Sequence, residues 1–262
     1  CFQGTPIGGQ GGNSLPNLYN RQLTSGQQRK QLDLVQKMNR ELRERSGVND
    51  ELDGVIESFE LAFRMQGKVP EVMDIKNESQ KTLENYGIGR GKASDAFGKQ
   101  CLMARRFAEN GVRYIEVHHG GWDLHNGLKA KLTKNAASTD APIAGLLSDL
   151  KERGMLKDTL VVWGGEFGRT PAGQSAKGDG RRHNNRGYSM WMAGGGIRGG
   201  MRYGATDEFG DTAIKGKIHI HDLHATMLHQ LGLNHEKLTY KYAGRDFRLT
   251  DVYGNVVKEI IA

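Results

Sequence analysis

The chain has 262 residues, of which 37% are hydrophobic, and a formal net charge of +7. Its mean hydropathy is −0.61, and no run approaches the roughly 18 apolar residues of a membrane-spanning helix. Only two cysteines occur, Cys1 and Cys101, which excludes a disulfide scaffold and a thiolate metal cage.

The basic residues are dispersed, as in Arg29-Lys30, Arg105-Arg106 and Arg181-Arg182, with no interleaved aromatics. That spread points away from nucleic acid and leaves sulfated or phosphorylated ligands as the partners a basic chain suits. No signal peptide is visible. The chain opens on Cys1-Phe2-Gln3 rather than Met, so it reads as a fragment or as the mature part of something longer. Among the 37 glycines, clusters fall at 4–12, 164–168 and 194–200, a loop signature.

Residues 1–26 read as irregular. Leu32, Leu34, Val35, Met38 and Leu42 recur at helical spacing and predict a helix over 27–46. Asn49-Asp50-Glu51 can cap a second helix whose apolar positions include Val55, Ile56, Phe59, Leu61 and Phe63; core packing is the expected role of its aromatics. Pro70 and Gly87–Gly91 punctuate the next stretch, before a helix over about 93–110 that Gly111 ends. Val112–Val117 reads as a strand, 140–153 as an amphipathic helix, Thr159–Trp163 as a buried parallel strand and 188–193 as another short strand. Ile218–His221 reads as extended, and Asp222 is placed to cap a last helix carrying Leu223, Met227 and Leu228. Strands alternating with helices predict an α/β fold with a mostly parallel sheet flanked by helices. In that reading 1–262 is a single domain, with 27–110 a helical cap or insertion and 111–262 the α/β core.

Chemistry concentrates where that core turns. Thr159–Pro171 runs from the apolar strand through two glycines to Glu166 and Arg169, and ligands of open α/β sheets sit beyond the carboxyl ends of strands. Asp123 and His125 alternate about Leu124, so both side chains can point one way. With Glu166 and His183 they make a nitrogen- and oxygen-donor set for a divalent metal, zinc or calcium. Each also has a plain reading: Asp123 as a helix cap, His125 and His183 as solvated side chains, Glu166 as the ion-pair partner of Arg169 or Arg182. Of the adjacent His118 and His119 at most one can face such a site, and His221 and His224 read as structural. Arg169, Arg181 and Arg182 suit sulfate or phosphate oxygens, with Arg169 and Arg182 the pair assigned to the substrate anion. A Gly-x-Ser-x-Gly elbow is missing from the sequence, and Cys101 reads as core.

The stretches Glu60–Gln66, Cys101–Arg106, Gly121–His125, Gly165–Pro171, Ala193–Gly200, Gly204–Glu208 and Asp222–Leu228 resemble those of the DUF1501 proteins, a group frequent in planctomycete-type bacteria and related to sulfatases and alkaline phosphatases. The resemblance implies an alkaline-phosphatase-like fold, with Asp123, His125, Glu166 and His183 at metal positions. It implies a metal-dependent hydrolase of sulfate or phosphate esters acting on an anionic small molecule or polysaccharide, in the periplasm or secreted. The sequence departs from the superfamily pattern: Glu166 stands in place of Asp, Phe167 in place of His or Asn, Asp-x-His is shorter than Asp-x-x-x-His, and the nucleophile is not visible. If the enzyme reading holds, residues upstream of Cys1 carry the nucleophile. The alternative is a non-catalytic envelope protein that binds sulfated polysaccharide or a protein partner.

Overall fold

A computed structural model describes residues 6–7, 20, 22–47, 50–89, 93–165, 167–174 and 178–262. The chain divides into two compact units. One comprises residues 1–79 and 103–116, the other 80–102 and 117–262.

The first unit is helical. Its α1 (Ser25–Ser46) starts where Thr24 accepts from the Gln27 amide while the Gln27 side chain accepts in return from the Thr24 amide, satisfying two donors that a helix start leaves open. α2 (Asp50–Met73) continues through Pro70 rather than stopping there. The two helices are tied by polar contacts. Gln36, 1% exposed, donates from Nε2 to Ile56 O at 2.7 Å, and Arg29 forks onto Glu60 at 2.8 and 2.9 Å. The Arg29 guanidinium holds the Glu60 carboxyl down at about 2. Val69, Val72 and Phe107 form a small core with Met65, Met73, Met103 and Ile115 around it. The expectation that helical spacing marks core fails for Leu34, Met38, Phe59 and Leu61, all of which are exposed. Spacing fixes which residues share a face, not what covers it.

In the second unit α3 (Gln80–Asn85) leads into Tyr86, fully buried, whose hydroxyl donates to Asp149 of α5 (Leu128–Glu152) at 3.0 Å. A Cβ at Gly145 of α5 would stand 2.5 Å from Asn85 O, so only glycine lets these backbones meet. α4 (Asp95–Glu109) is shared between the units and carries Cys101, which is 2% exposed; burial pushes its thiol up to about 12, so it packs as a small hydrophobe. α6 (Ile220–Gln230) is capped by His219, not Asp222. Asp222 is the third residue of the cap box, receiving the amides of His219 and Asn255. Thr226, fully buried in α6, donates to Asp222 O and accepts from Val257 N.

The strands overturn the expected sheet. Among the described residues they pair only two by two, and every pair is antiparallel. β1 (Val161–Trp163) lies against β4 (Trp191–Ala193), β2 (Gly168–Gly173) against β3 (Arg181–Asn184), β5 (Ala205–Thr206) against β6 (Ala213–Lys215), and β7 (Thr239–Tyr242) against β8 (Arg245–Arg248). The mostly parallel, alkaline-phosphatase-like α/β fold is therefore not the architecture of this chain. Parallel neighbours need a crossover, usually a helix. Between β1 and β4 the chain instead runs through the β2–β3 pair and returns antiparallel. β1 is half-buried rather than enclosed, and Val112–Val117 forms no strand.

Candidate metal centre

The site is built on the second unit by one loop and one strand pair. In the loop 121–127, Leu124 points inward at 5% exposure, and its flanking residues Asp123 and His125 are turned out together. The loop is pinned to β3 by Arg181 N donating to Leu124 O at 3.1 Å, and to Asp179 just ahead of β3 by Gly127 N donating to its Oδ2 at 3.0 Å. β2 and β3 then deliver the rest. Arg169 and His183 are register partners, so both side chains leave the same face of the ladder.

One carboxylate oxygen is the focus. Asp123 Oδ1 lies 2.9 Å from His125 Nε2, 2.9 Å from His183 Nε2 and 2.6 Å from Arg169 Nη2. Asp123, His125 and His183 offer one donor atom each, all within 4.8 Å of one another. The hydrogen bond from His183, then that from Arg169, holds the Asp123 carboxyl down at about 2. The Asp123 side chain is 65% exposed and that of His183 47%, so the site is open to a ligand from solvent. His183 also packs its ring against Phe167, centroids 4.1 Å apart.

His125 Nδ1 stands 2.6 Å from Gln174 Oε1. An amide oxygen only accepts, so Nδ1 carries a proton, which leaves Nε2, the nitrogen that contacts Asp123, as the one that can give up its proton and ligate a metal. A metal-ligating imidazole is held in this way, its outer N–H donating to a carbonyl-type oxygen. Two imidazoles and one carboxylate fit zinc and its transition-metal neighbours; calcium draws on oxygen donors.

Of the residues assigned to metal from sequence, Asp123, His125 and His183 thus come together; Glu166 lies outside the described residues. Of the two arginines assigned to an anion, Arg169 sits on the Asp123 carboxylate and donates to Trp122 O at 3.2 Å. Arg182 does not join it. Adjacent to His183 on β3, it faces the other way and reaches Gln174 O at 3.3 Å. His119 supports Trp122 rather than the triad. His221 lies in the first turn of α6 and donates from Nδ1 to Thr250 O. Gln174 was not foreseen, since a lone glutamine 49 residues from His125 gives no signal until the pairing of β2 with β3 is known.

Gly180 is where the backbone before β3 passes closest to the loop of His125. A Cβ there would stand 1.9 Å from His125 O. Gly180→Ala is expected to cost about 1–3 kcal/mol, the range for overfilling a packed site, and to weaken metal uptake by displacing His125. Thermal unfolding and a zinc titration of the variant check both; an unchanged melting temperature would contradict the contact.

A family model described as "Protein of unknown function (DUF1501)" matches residues 1–261. No curated protein and no solved structure matches the chain.

Proposed function

We propose that this chain, which belongs to the DUF1501 family, holds a divalent transition metal on Asp123, His125 and His183 and hydrolyses sulfate or phosphate esters there. The observation that carries this reading is the convergence of two imidazole nitrogens on one exposed carboxylate oxygen. It rests on that geometry and not on any likeness of fold to alkaline phosphatases. When bound, such an ion supplies Lewis acidity toward an ester oxygen.

The chain's own residues have separate tasks. Asp123 stays ionised down to about pH 2, so it is a full negative charge at any working pH. Gln174 fixes the tautomer and tilt of His125. Arg169 brings a planar cation to the rim, where a sulfate or phosphate can exchange for part of its contact with Asp123. A periplasmic or secreted location belongs to the same reading and comes from the family resemblance.

The test is metal analysis of the purified protein together with turnover of 4-nitrophenyl sulfate and 4-nitrophenyl phosphate. Stoichiometric zinc and turnover of either ester are expected. Zinc without turnover supports the alternative, a non-catalytic protein that retains sulfated polysaccharide. The absence of both metal and turnover overturns the proposal.

A further inference from the structure

The three tryptophans of the chain, Trp122, Trp163 and Trp191, all line one cleft of about 490 Å³ that is open to solvent. Trp163 of β1 and Trp191 of β4 are register partners, so their side chains stand on one face of the strand pair. Their rings are 11° from parallel with centroids 6.5 Å apart. Trp122 meets Trp163 at 85° and 6.0 Å. The indoles form two neighbouring plates and an upright wall.

These walls are fixed in advance of any ligand. Trp122 Nε1–H donates to His119 Nδ1 at 3.0 Å, which leaves the His119 proton on Nε2. That proton goes to Ser138 Oγ at 2.8 Å, and Ser138 donates in turn to Asn135 O at 2.7 Å. Phe97 sets its ring edge-on against both His119 and Trp163. The facing side comes from α5, where Ala136 keeps the cavity open and Ile143 adds apolar surface. Asp140 is the one charged side chain among the described lining residues.

From this geometry we infer that the cavity binds a pyranose ring of a carbohydrate. The ligand must offer apolar faces to the indoles and hydrogen-bond donors to a carboxylate. A pyranose does both: its axial C–H groups present weak positive charge to the negative indole faces, and its equatorial hydroxyls radiate toward Asp140. An anionic group at this point is repelled by Asp140. A purely apolar ligand strips water from that carboxylate without replacing its hydrogen bonds. An organic cation is drawn to the indoles and to Asp140 as well, but a quaternary ammonium head carries no N–H to donate to that carboxylate.

The cavity adjoins the triad. Trp122 immediately precedes Asp123, and the one Nη2 of Arg169 donates to both Trp122 O and Asp123 Oδ1. The inference therefore deepens the proposed function: the ester is carried by a saccharide, with an unsubstituted ring on the indoles and the sulfate or phosphate at the arginine side. Ring binding itself stands without the metal.

The full chain is titrated with neutral hexasaccharides (cellohexaose, laminarihexaose, xylohexaose and mannohexaose) and with tetramethylammonium. Tryptophan fluorescence and calorimetry report binding. At least one hexaose is expected to give a saturating signal that weakens at least about tenfold in Trp163→Ala, as for an aromatic anchor, weakens in Asp140→Asn and is largely kept in Trp163→Phe. His183→Ala, which removes a metal ligand, leaves the hexaose signal unchanged even if zinc uptake is lost. Should Trp163→Ala fail to fold, Asp140→Asn and Trp191→Phe decide the matter. Absence of binding by every hexaose, indifference of binding to these substitutions, or saturation by tetramethylammonium alone overturns the inference.

Discussion

Glu78→Gln is expected to lower the unfolding free energy by about 3 kcal/mol, the lower end for breaking a buried ion pair. The Glu78 side chain is 8% exposed, and one of its oxygens accepts from Arg105 Nη2 at 2.8 Å and from Arg106 Nη1 at 2.5 Å. Arg105 is itself 2% exposed. An amide of the same shape keeps an acceptor but removes the charge opposite two guanidinium groups. The loss is held to the lower end because Arg105 keeps Glu109 at 2.6 Å and Arg106 keeps Val72 O at 2.6 Å. Urea unfolding reads the change as a lower midpoint at unchanged slope.

The same pair gives a pH signature. Burial pushes the Glu78 carboxyl up, but the hydrogen bonds from Arg106 and Arg105 outweigh it and hold the group below its ordinary value of 4.5. The unfolded chain therefore takes up this proton at higher pH than the native one does. The stability Glu78 contributes is complete above about 4.5 and is lost as the pH falls through the lowered native value. Glutamine has no such proton. The gap between wild type and Glu78→Gln should be constant near neutrality and close on acidification below about 4.5. A gap that stays constant down to pH 3 would contradict the ion-pair account.

The helices were legible only in part: periodicity is local and marks α1, α2 and α4, but α3 was not read and α5 starts at Leu128, ahead of the 140–153 expected. The run from Leu32 to Leu42 and the glycine after Asn110 suffice for the body of α1 and the end of α4, whereas the Thr24–Gln27 box that starts α1 two residues earlier was not read. Pairing direction was not legible. Thr159–Trp163 is apolar throughout and suits a buried parallel strand, but an apolar run does not encode which way its partner runs. That information lay in residues 164–190, where turns bring β4 back antiparallel to β1. Exposure of Leu34, Met38, Phe59 and Leu61 is similar, since a helical stripe does not specify its cover.

The site divides the same way. Asp123 and His125 flank an inward leucine, a pattern visible over three residues. His183 lies 60 residues from Asp123, and only the register of Arg169 with His183 and the bond from Arg181 N to Leu124 O bring it there. Once His183 is placed on a strand, alternation alone turns Arg182 away.

His183→Ala and Asp123→Ala are each expected to weaken zinc binding at least about 100-fold. Losing merely an outer hydrogen-bond partner of a ligand costs about 10–100-fold, and Gln174→Ala, which leaves all three donors but frees the His125 ring, should fall in that range. Competition against a chelating dye measures all three. Arg169→Ala separates the metal from its anion. Its Nη2 lies 2.6 Å from the oxygen that both imidazoles face, so it opposes a second positive charge there. Its removal should tighten zinc while raising the KM for an anionic ester. Weaker zinc binding in Arg169→Ala would mean that the guanidinium positions Asp123 rather than competes for it. Equal zinc affinity in wild type, His183→Ala and Asp123→Ala would leave the triad as a surface ion-pair cluster, because three side chains that bind an ion through defined donors cannot lose one donor without loss of affinity.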